Sequence, residues 1–471
     1  MRAKTVEGKE IDLSQDILNG WKTRLRGPVL VPGDAGYEDS RTVWNGMIDR
    51  RPAMVARCLG IADVIECVRF ARDHNLLLCV KGGGHNIAGL AVADDALMLD
   101  MSLMRGVWVD PHDRVAHAQA GCVLGDVDRE TQLHGLASVL GFISLTGIAG
   151  LTLGGGIGYL TRRWGWTADN VVGMDVVTAE ARLVRASSDE NADLFWALQG
   201  GGGNFGVVTG IDYVLHRVGP EMVGGVVAWP ASDAPRVLER FRTLAAQAPA
   251  ELTLVAFMRP APAAPWLPKD RHGTPIVAVL ACHTGDPDEG EKAVAPIKSF
   301  GQPIGDVLIR RSYVQMQSLL DATQPKGRRY YWKSEYLPGV EQALFDKVIE
   351  HAARIPSPHS AVILFQVEGA LNRLSQDHSP VGNRDARYLL NIASSWERPE
   401  DDEANIEWTR RTWSDLRRFS TGGTYINFLT EDEGAARTEA ALGPALERLG
   451  HIKARWDPQN VFRTNRNIQP V

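Results

Sequence analysis

The chain of 471 residues contains only five cysteines, Cys58, Cys67, Cys79, Cys122 and Cys282. No two form a C-x-x-C pair and their number is odd, which argues against a disulfide framework and a structural zinc site. His112, His117 and His134 lack metal-ligand spacing, so no metal site is expected. No stretch reaches the roughly 20 apolar residues of a membrane span. The N-terminus, MRAKTVEGKEIDLSQ, has no apolar core of the signal-peptide kind. The expected setting is therefore a reducing, cytoplasmic one, with no membrane partner. Basic charge is not in excess either. Lys and Arg number 51 against 57 Asp and Glu, a net charge of -6, which leaves no electrostatic footprint for nucleic acid. Internal repeats and low-complexity tracts are missing as well.

What is present is ordinary globular material, long enough for two or three domains. Ala53 to Arg57 reads as a short strand, Ile61 to Ala71 carries apolar residues at helical spacing, and Leu76 to Val80 is a continuous apolar run. Together they predict a β-α-β unit. LMLD (97–100), VWVD (107–110) and VAHAQA (115–120) read as strands, and Leu124 to Leu133 as a helix. Asn170 to Ser187 reads as a hairpin turning near Glu180, and Val207 to Val218 as a long strand. After Pro220, amphipathic helices such as 343–355 and 405–419 alternate with strands such as 275–282 and 361–367. That texture predicts an antiparallel sheet with helices on one face.

The chemical signal lies in three glycine clusters: KGGGHNIAG (81–89), LTLGGGIGYL (151–160) and LQGGGGNFG (198–206). Glycine removes Cβ from a turn and lets backbone N–H groups close around an anion. Taken singly, each cluster is a tight turn. A Rossmann reading of GGGIG fails, because no acidic residue follows in the required β-α-β setting. Three clusters at element ends in one half of the chain point to a long ligand gripped by backbone. Why His85 directly follows the first cluster is not explained by a phosphate grip.

VKGGGHNIAG, LDMSLM, GLTLGGGIGYLTRRWGWTADNVVGMDVVTAE, DLFWALQGGGGNFGVVT, YINFL and DPQNVFRTNRNI, in that order, resemble the berberine bridge enzyme-like FAD-linked oxidases of the vanillyl-alcohol oxidase superfamily. The resemblance spans essentially the whole chain. It implies an α+β fold: a two-part PCMH-type FAD-binding domain of residues 1–220 (core about 48–220) and 421–471, interrupted by a substrate domain at 221–420 with an antiparallel sheet over the flavin. It also implies that Lys81, Gly82, Gly83, Gly84, His85 and Asn86 cradle the FAD pyrophosphate. His85 matches the histidine that bonds to the 8α-methyl carbon of the flavin, for which a neutral imidazole is a competent nucleophile. By the same resemblance Thr146, Gly147, Gly150, Gly154, Asn170, Val177, Asn427 and Asn465 lie against the cofactor.

Two departures from the family pattern matter. Relatives often add a thioether from a cysteine where GFISLTGIAGLTLGGG (141–156) places Ile143, so a single covalent link through His85 is expected. The family's Y-x-N-Y stretch, whose second tyrosine is a catalytic base, reads here as Tyr425, Ile426, Asn427 and Phe428. Strand alternation would set Tyr425 and Asn427 away from Phe428. Substitute catalytic candidates are Tyr425 and Lys333, the latter in RRYYWKSEYLPG (328–339) as a base if desolvated or as a partner of Glu335 if exposed. Arg162, Arg163, Trp164 and Trp166 either border the cofactor or simply end a helix. The implied activity is hydride removal from a C–H next to nitrogen or oxygen, with O2 reduced to hydrogen peroxide; the small-molecule substrate inclines toward an amine or N-heterocycle. A dehydrogenase with another acceptor, a reductase of the same superfamily holding its flavin non-covalently, and a flavin-binding protein without this catalysis stay open.

Overall fold

Four-residue apolar strands begin the architecture that positions the site, in a computed structural model covering residues 1–471. Val29–Leu30 (β1), Met54–Arg57 (β2), Leu78–Lys81 (β3) and Leu97–Asp100 (β4) form a sheet in the order β1-β2-β4-β3, with β4 parallel to both β2 and β3. Parallel strands covered on both faces tolerate few polar positions, and MVA, LCV and LML supply them. Helix α1 (Ile61–Asp73) makes the crossover from β2 to β3 and buries Val64, Cys67, Val68 and Ala71. Those positions repeat at three and four residues, one face of a helix.

A second, antiparallel sheet follows from Val107–Asp110 (β5), Val115–Gln119 (β6), Val171–Val177 (β7), Leu183–Ser187 (β8) and Val207–Val214 (β9), ordered β8-β7-β9-β6-β5. The β7–β8 hairpin turns through residues 178–182, as its alternation predicts. The strand expected to run to Val218 stops at Val214. His216–Arg217 instead pairs with Leu136–Ala137, so the chain changes sheets there. Helices Leu124–Thr131 (α2), Ile148–Leu153 (α3) and Ala192–Leu198 (α4) join these strands.

Residues 221–396 build one large antiparallel sheet from Glu221–Pro230 (β10), Leu252–Pro260 (β11), Pro275–His283 (β12), Arg329–Leu337 (β13), Ala361–Gln366 (β14) and Tyr388–Trp396 (β15), in the order β10-β12-β11-β14-β15-β13. Two short edge strands, Gly305–Asp306 and Ile309–Ser312, pair with β10. Helices Ala234–Gln247 (α5), Pro287–Lys298 (α6), Gln342–Ala352 (α7) and Asp402–Leu416 (α8) cover one face. Leu254, Ala256 and Met258 of β11 point into that helix-covered core, together with Val237, Phe241 and Leu344. The intervening Val255 belongs to a different core, shared with Val226, Leu280 and Phe365 of neighbouring strands and with Tyr159 and Trp166 of the first half. A one-residue slip would exchange the two faces, so the burial of both pins the register.

The C-terminal helix Ala445–Trp456 (α9) and the tail after it return to the first half. Leu449, Ile452, Phe462 and Ile468 share a core with Val176, Leu198 and Phe205. Lys453, fully buried, anchors that return through Asp457 (2.6 Å) and the carbonyls of Asn204 and Phe462. No helix is long and apolar enough to cross a membrane.

Candidate cofactor and substrate site

The first two glycine clusters are brought together by a backbone crossing. A Cβ built on Gly83 would lie 2.5 Å from Cα and N of Gly147, and one on Gly147 would lie 2.4 Å from N of Gly83. Only paired glycines permit that approach. Gly84 sits at φ +66°, where a side chain is strained. The third cluster is tied in by the N–H of Gly202, which donates to Leu153 O at 2.9 Å. All three clusters line one cavity of about 830 Å³, along with Thr146, Gly147 and Gly150. The backbone N–H groups of Gly82 through Asn86 find no acceptor within the chain. Such a row of free donors is a ready anion cradle.

His85 stands at the edge of this cradle and lines the cavity. Its ring stacks on Trp44 at 4.5 Å between centroids, and Trp44 stacks in turn on Tyr330 of β13 at 3.7 Å. Burial pulls the imidazole down to about 4, so it is neutral and carries a free lone pair at neutral pH. Asn45 locks the arrangement. Its amide donates to Ile87 O (2.8 Å) and Tyr330 O (3.0 Å), and its carbonyl accepts from Tyr330 N (3.1 Å). Trp44 and Asn45 escaped the sequence reading, because neither belongs to a motif and their partner lies 285 residues away.

The roof is the face of the large sheet that no helix covers. Val255 and Phe257 of β11, Ile363 and Phe365 of β14 and Trp332 of β13 line it at every second position. Trp332 meets Phe428 edge-on at 5.0 Å, and Phe428 meets Tyr425 the same way at 4.8 Å. Polar groups on this side are few: Asn391, His359, His272, Arg259, Arg328, Thr323 and Gln324. No aspartate, glutamate or lysine lines the cavity, and Tyr425 is its only phenol.

Several expected site residues are placed elsewhere. Lys81 does not line the cavity. Leu78 and Val80 do, so pleating turns Lys81 to the other face. There it donates to Ser40 O and lies 3.6 Å from Asp100. Lys333 is likewise on the side of β13 opposite Trp332, buried, bonded to Thr430 Oγ1 (3.0 Å) and Asp432 (3.2 Å) and 3.4 Å from Glu433. Desolvation lowers its pKa, but it is neither an exposed partner of Glu335 nor within reach of a substrate. Asn170 is a structural tie, donating to the carbonyls of Trp164 and Trp166 and accepting from His216. Val177 is a fully buried core residue. Arg162 is spent on buried carbonyls, including Glu368 O at 2.9 Å.

The 425–428 segment is a 3-10 turn and not a strand, so Tyr425 and Phe428 touch instead of facing apart. Tyr425 accepts hydrogen bonds from Gly156 N (3.1 Å) and Asn427 Nδ2 (2.9 Å). Burial pushes its phenol up to about 12, so it carries its proton at neutral pH, and its bonds join the glycine cluster to the turn. Asn427 lines the cavity, and Gly154 leaves room for it: a Cβ there would fall 2.1 Å from Asn427 Oδ1. Asn465 lines it too, donating to Gly203 O (3.2 Å) while its Oδ1 is buried without a partner. Asn86 lines it while its Oδ1 caps the turn at Ala88 (3.0 Å). Ile143 and Leu151 are on the same wall.

Residues 52–187 match the family profile described as an FAD binding domain, and residues 424–469 match that described as berberine and berberine like. The (R)-6-hydroxynicotine oxidase of Paenarthrobacter nicotinovorans is 30% identical over 455 residues, covering 95% of this chain and 97% of that one. The crystal structure of 6-hydroxy-D-nicotine oxidase from Arthrobacter nicotinovorans superposes with a TM-score of 0.85 at 27% identity, covering 98% of this chain and 100% of that one. Berberine bridge enzyme from Eschscholzia californica shares the fold, with a TM-score of 0.86 at 18% identity over 97% of this chain and 99% of that one. The residues present fit FAD on physical grounds. Unpaired backbone donors suit its pyrophosphate, the glycine walls leave close approach to a flat ligand, and the orphaned Asn465 oxygen awaits a donor.

Proposed function

The chain belongs to the berberine bridge enzyme-like family of FAD-linked oxidoreductases, and from that premise we propose that it is an oxidase holding FAD through a single covalent bond to His85. The observation that supports this reading is the neutral, stacked imidazole at the rim of a row of unpaired N–H groups. Bound there, FAD supplies the acceptor for a hydride equivalent from a substrate C–H next to nitrogen or oxygen, and dioxygen carries the electrons on to hydrogen peroxide. The chain's own work is positional. Residues 82–86 neutralise the pyrophosphate, Trp44 and Tyr330 hold the His85 ring in one plane, and Asn427 and Asn465 offer polar contacts from the returning segment. In this reading residues 1–220 and 421–471 hold the cofactor, while residues 221–420 roof it and exclude water with an aromatic face.

The lining favours an amine or N-heterocycle over an alcohol. An alcohol needs a base for its hydroxyl proton, and the cavity has no carboxylate or lysine, Tyr425 keeps its proton, and the imidazoles of His272 and His359 are engaged by Leu267 O and Glu397. A neutral amine needs no such base. The (R)-6-hydroxynicotine oxidase relative fits the same preference by its name. The decisive experiment is acid denaturation followed by gel electrophoresis under ultraviolet light. A fluorescent band is expected from the natural chain and none from His85→Ala. Flavin released completely from the natural chain would overturn the covalent link; anaerobic reduction with amine and alcohol panels, followed by air, tests the oxidase reading itself.

A further inference from the structure

Two guanidinium groups, Arg259 and Arg328, line the sheet side of the cavity, and neither has a carboxylate within 4.0 Å among the chain's ion pairs. Arg259 closes β11, two residues after Phe257 on the same face. It donates Nε to Pro260 O (3.1 Å) and Nη2 to Pro358 O (3.3 Å), leaving Nη1 unused. Arg328, just before β13, makes one side-chain bond, Nη1 to Thr323 O at 3.3 Å. His359 lines the same region and contacts Glu397 at 3.2 Å, a side chain 69% exposed. The third cavity arginine, Arg466, differs: it is spent on the carbonyls of Glu433, Leu429 and Thr430 beside the C-terminal tail.

Buried Arg384 is answered by an acid of the same chain, Asp169 at 2.7 Å, whereas Arg259 and Arg328 are half-buried and have none. Here the neighbours add positive charge. Burial and the nearby Arg328 lower Arg259 to about 10, which is the cost of leaving the pair without an anion. A planar fork with free N–H groups is suited to a carboxylate. Most of the rest of the roof, Phe257, Trp332, Ile363 and Phe365, is apolar and aromatic surface, broken by Asn391, His272 and His359. We infer that this enzyme takes a substrate with an aromatic or apolar body and a carboxylate end, the carboxylate being bound by Arg259 and Arg328.

The inference rests on the oxidase reading of the same cavity, and the two fail in different ways. The test uses the flavin-loaded enzyme, with cofactor content read from its visible absorbance before any ligand is added; a protein without flavin refutes the oxidase reading. Benzoate, benzamide and acetate are then titrated as non-reacting probes, with perturbation of the flavin spectrum and thermal shift as the readouts. Benzoate is expected to bind on the order of ten- to a hundredfold tighter than benzamide, from charge-assisted bonds. Acetate, lacking the ring, should bind far more weakly than benzoate. Arg259→Gln and Arg328→Gln should each narrow the benzoate-to-benzamide gap, and Arg259→Lys should restore part of it. Equal affinity for benzoate and benzamide in the natural chain overturns the inference even if a variant fails to fold. So does an arginine variant that shifts the flavin potential yet leaves the benzoate preference intact, since the guanidiniums would then serve the cofactor.

Discussion

Replacing Gly83 by alanine isolates the crossing on which the cofactor wall depends. The new Cβ would lie 2.5 Å from two backbone atoms of Gly147, whereas carbon contacts settle at about 3.5–4.0 Å. The loops must therefore part by about 1–1.5 Å. Gly83 does not have a positive φ, so alanine meets no dihedral penalty. In free space it would even gain roughly 0.4–1 kcal/mol through the unfolded chain. Overpacking costs roughly 1–3 kcal/mol, and because the obstacle is backbone it cannot rotate aside. A net loss of about 1–2 kcal/mol follows. Gly150→Ala is the matched control. Its Cβ meets nothing within 4 Å, it sits in α3, and it opens on the cavity. There alanine favours the helix by roughly 0.8–1.0 kcal/mol, but its methyl takes space from the flavin. Melting temperatures of flavin-free and reconstituted protein, with the flavin-to-protein absorbance ratio, separate the two. Gly83→Ala should lower Tm by about 1–2 °C, since the entropy of unfolding of a chain this long gives about 1 °C per kcal/mol, and lose flavin. Gly150→Ala should hold or raise the flavin-free Tm and still bind flavin more weakly. A Gly83→Ala protein that melts with the natural one and carries a full complement of flavin would refute the crossing as the reason for these glycines.

Asp128 is fully buried and neither carboxylate oxygen has a partner. Burial raises its pKa well above normal, so the folded state holds this proton more tightly than the unfolded chain. Its contribution to stability is thus present below the unfolded value, about 3.9, and is lost as pH rises. Asp128→Asn should raise Tm at pH 8 by more than at pH 5; identical melting at pH 8 would contradict this. Lys333→Met leaves Asp432 and Glu433 short of a cation, although Arg410 and Arg437 still reach them. Stability should fall by an amount at the lower end of roughly 3–5 kcal/mol, while kcat of the folded, flavin-loaded fraction stays unchanged. A collapse of kcat in that fraction would return the lysine to the chemistry. Ile143→Cys, on the wall that holds His85, should form a thioether detectable as acid-stable flavin in a His85→Ala background; its absence would argue against the placement of the 141–156 stretch.

Much of the scaffold could be read locally. The 3.6-residue spacing of α1 and the two-residue alternation of β13 depend on neighbours within a few positions, and both elements form where that spacing predicts them. Alternation separated Trp332 from Lys333, but it could not say which face met the cavity, because Lys333 is buried and Trp332 partly so. Lys81 was misplaced for a similar reason: its motif is a loop motif, while its side chain obeys the pleat of β3. At 425–428, a tetrapeptide with strand-like residues turned instead, held by bonds from Gly156 N to the Tyr425 hydroxyl and from Asn427 Nδ2 to Leu151 O.

The sequence by itself determined the elements, the glycine loops with their free donors, the lone histidine after the first loop and the lack of a cysteine at position 143. Tertiary structure alone decided that Gly83 crosses Gly147, that Trp44 and Asn45 clamp His85 to the strand of Tyr330, 285 residues from Asn45, and that two arginines meet no acid. The physical reason is range. Backbone dihedrals and side-chain periodicity are set by adjacent residues, whereas close approach, burial and charge balance are properties of surfaces that exist only after distant segments have packed.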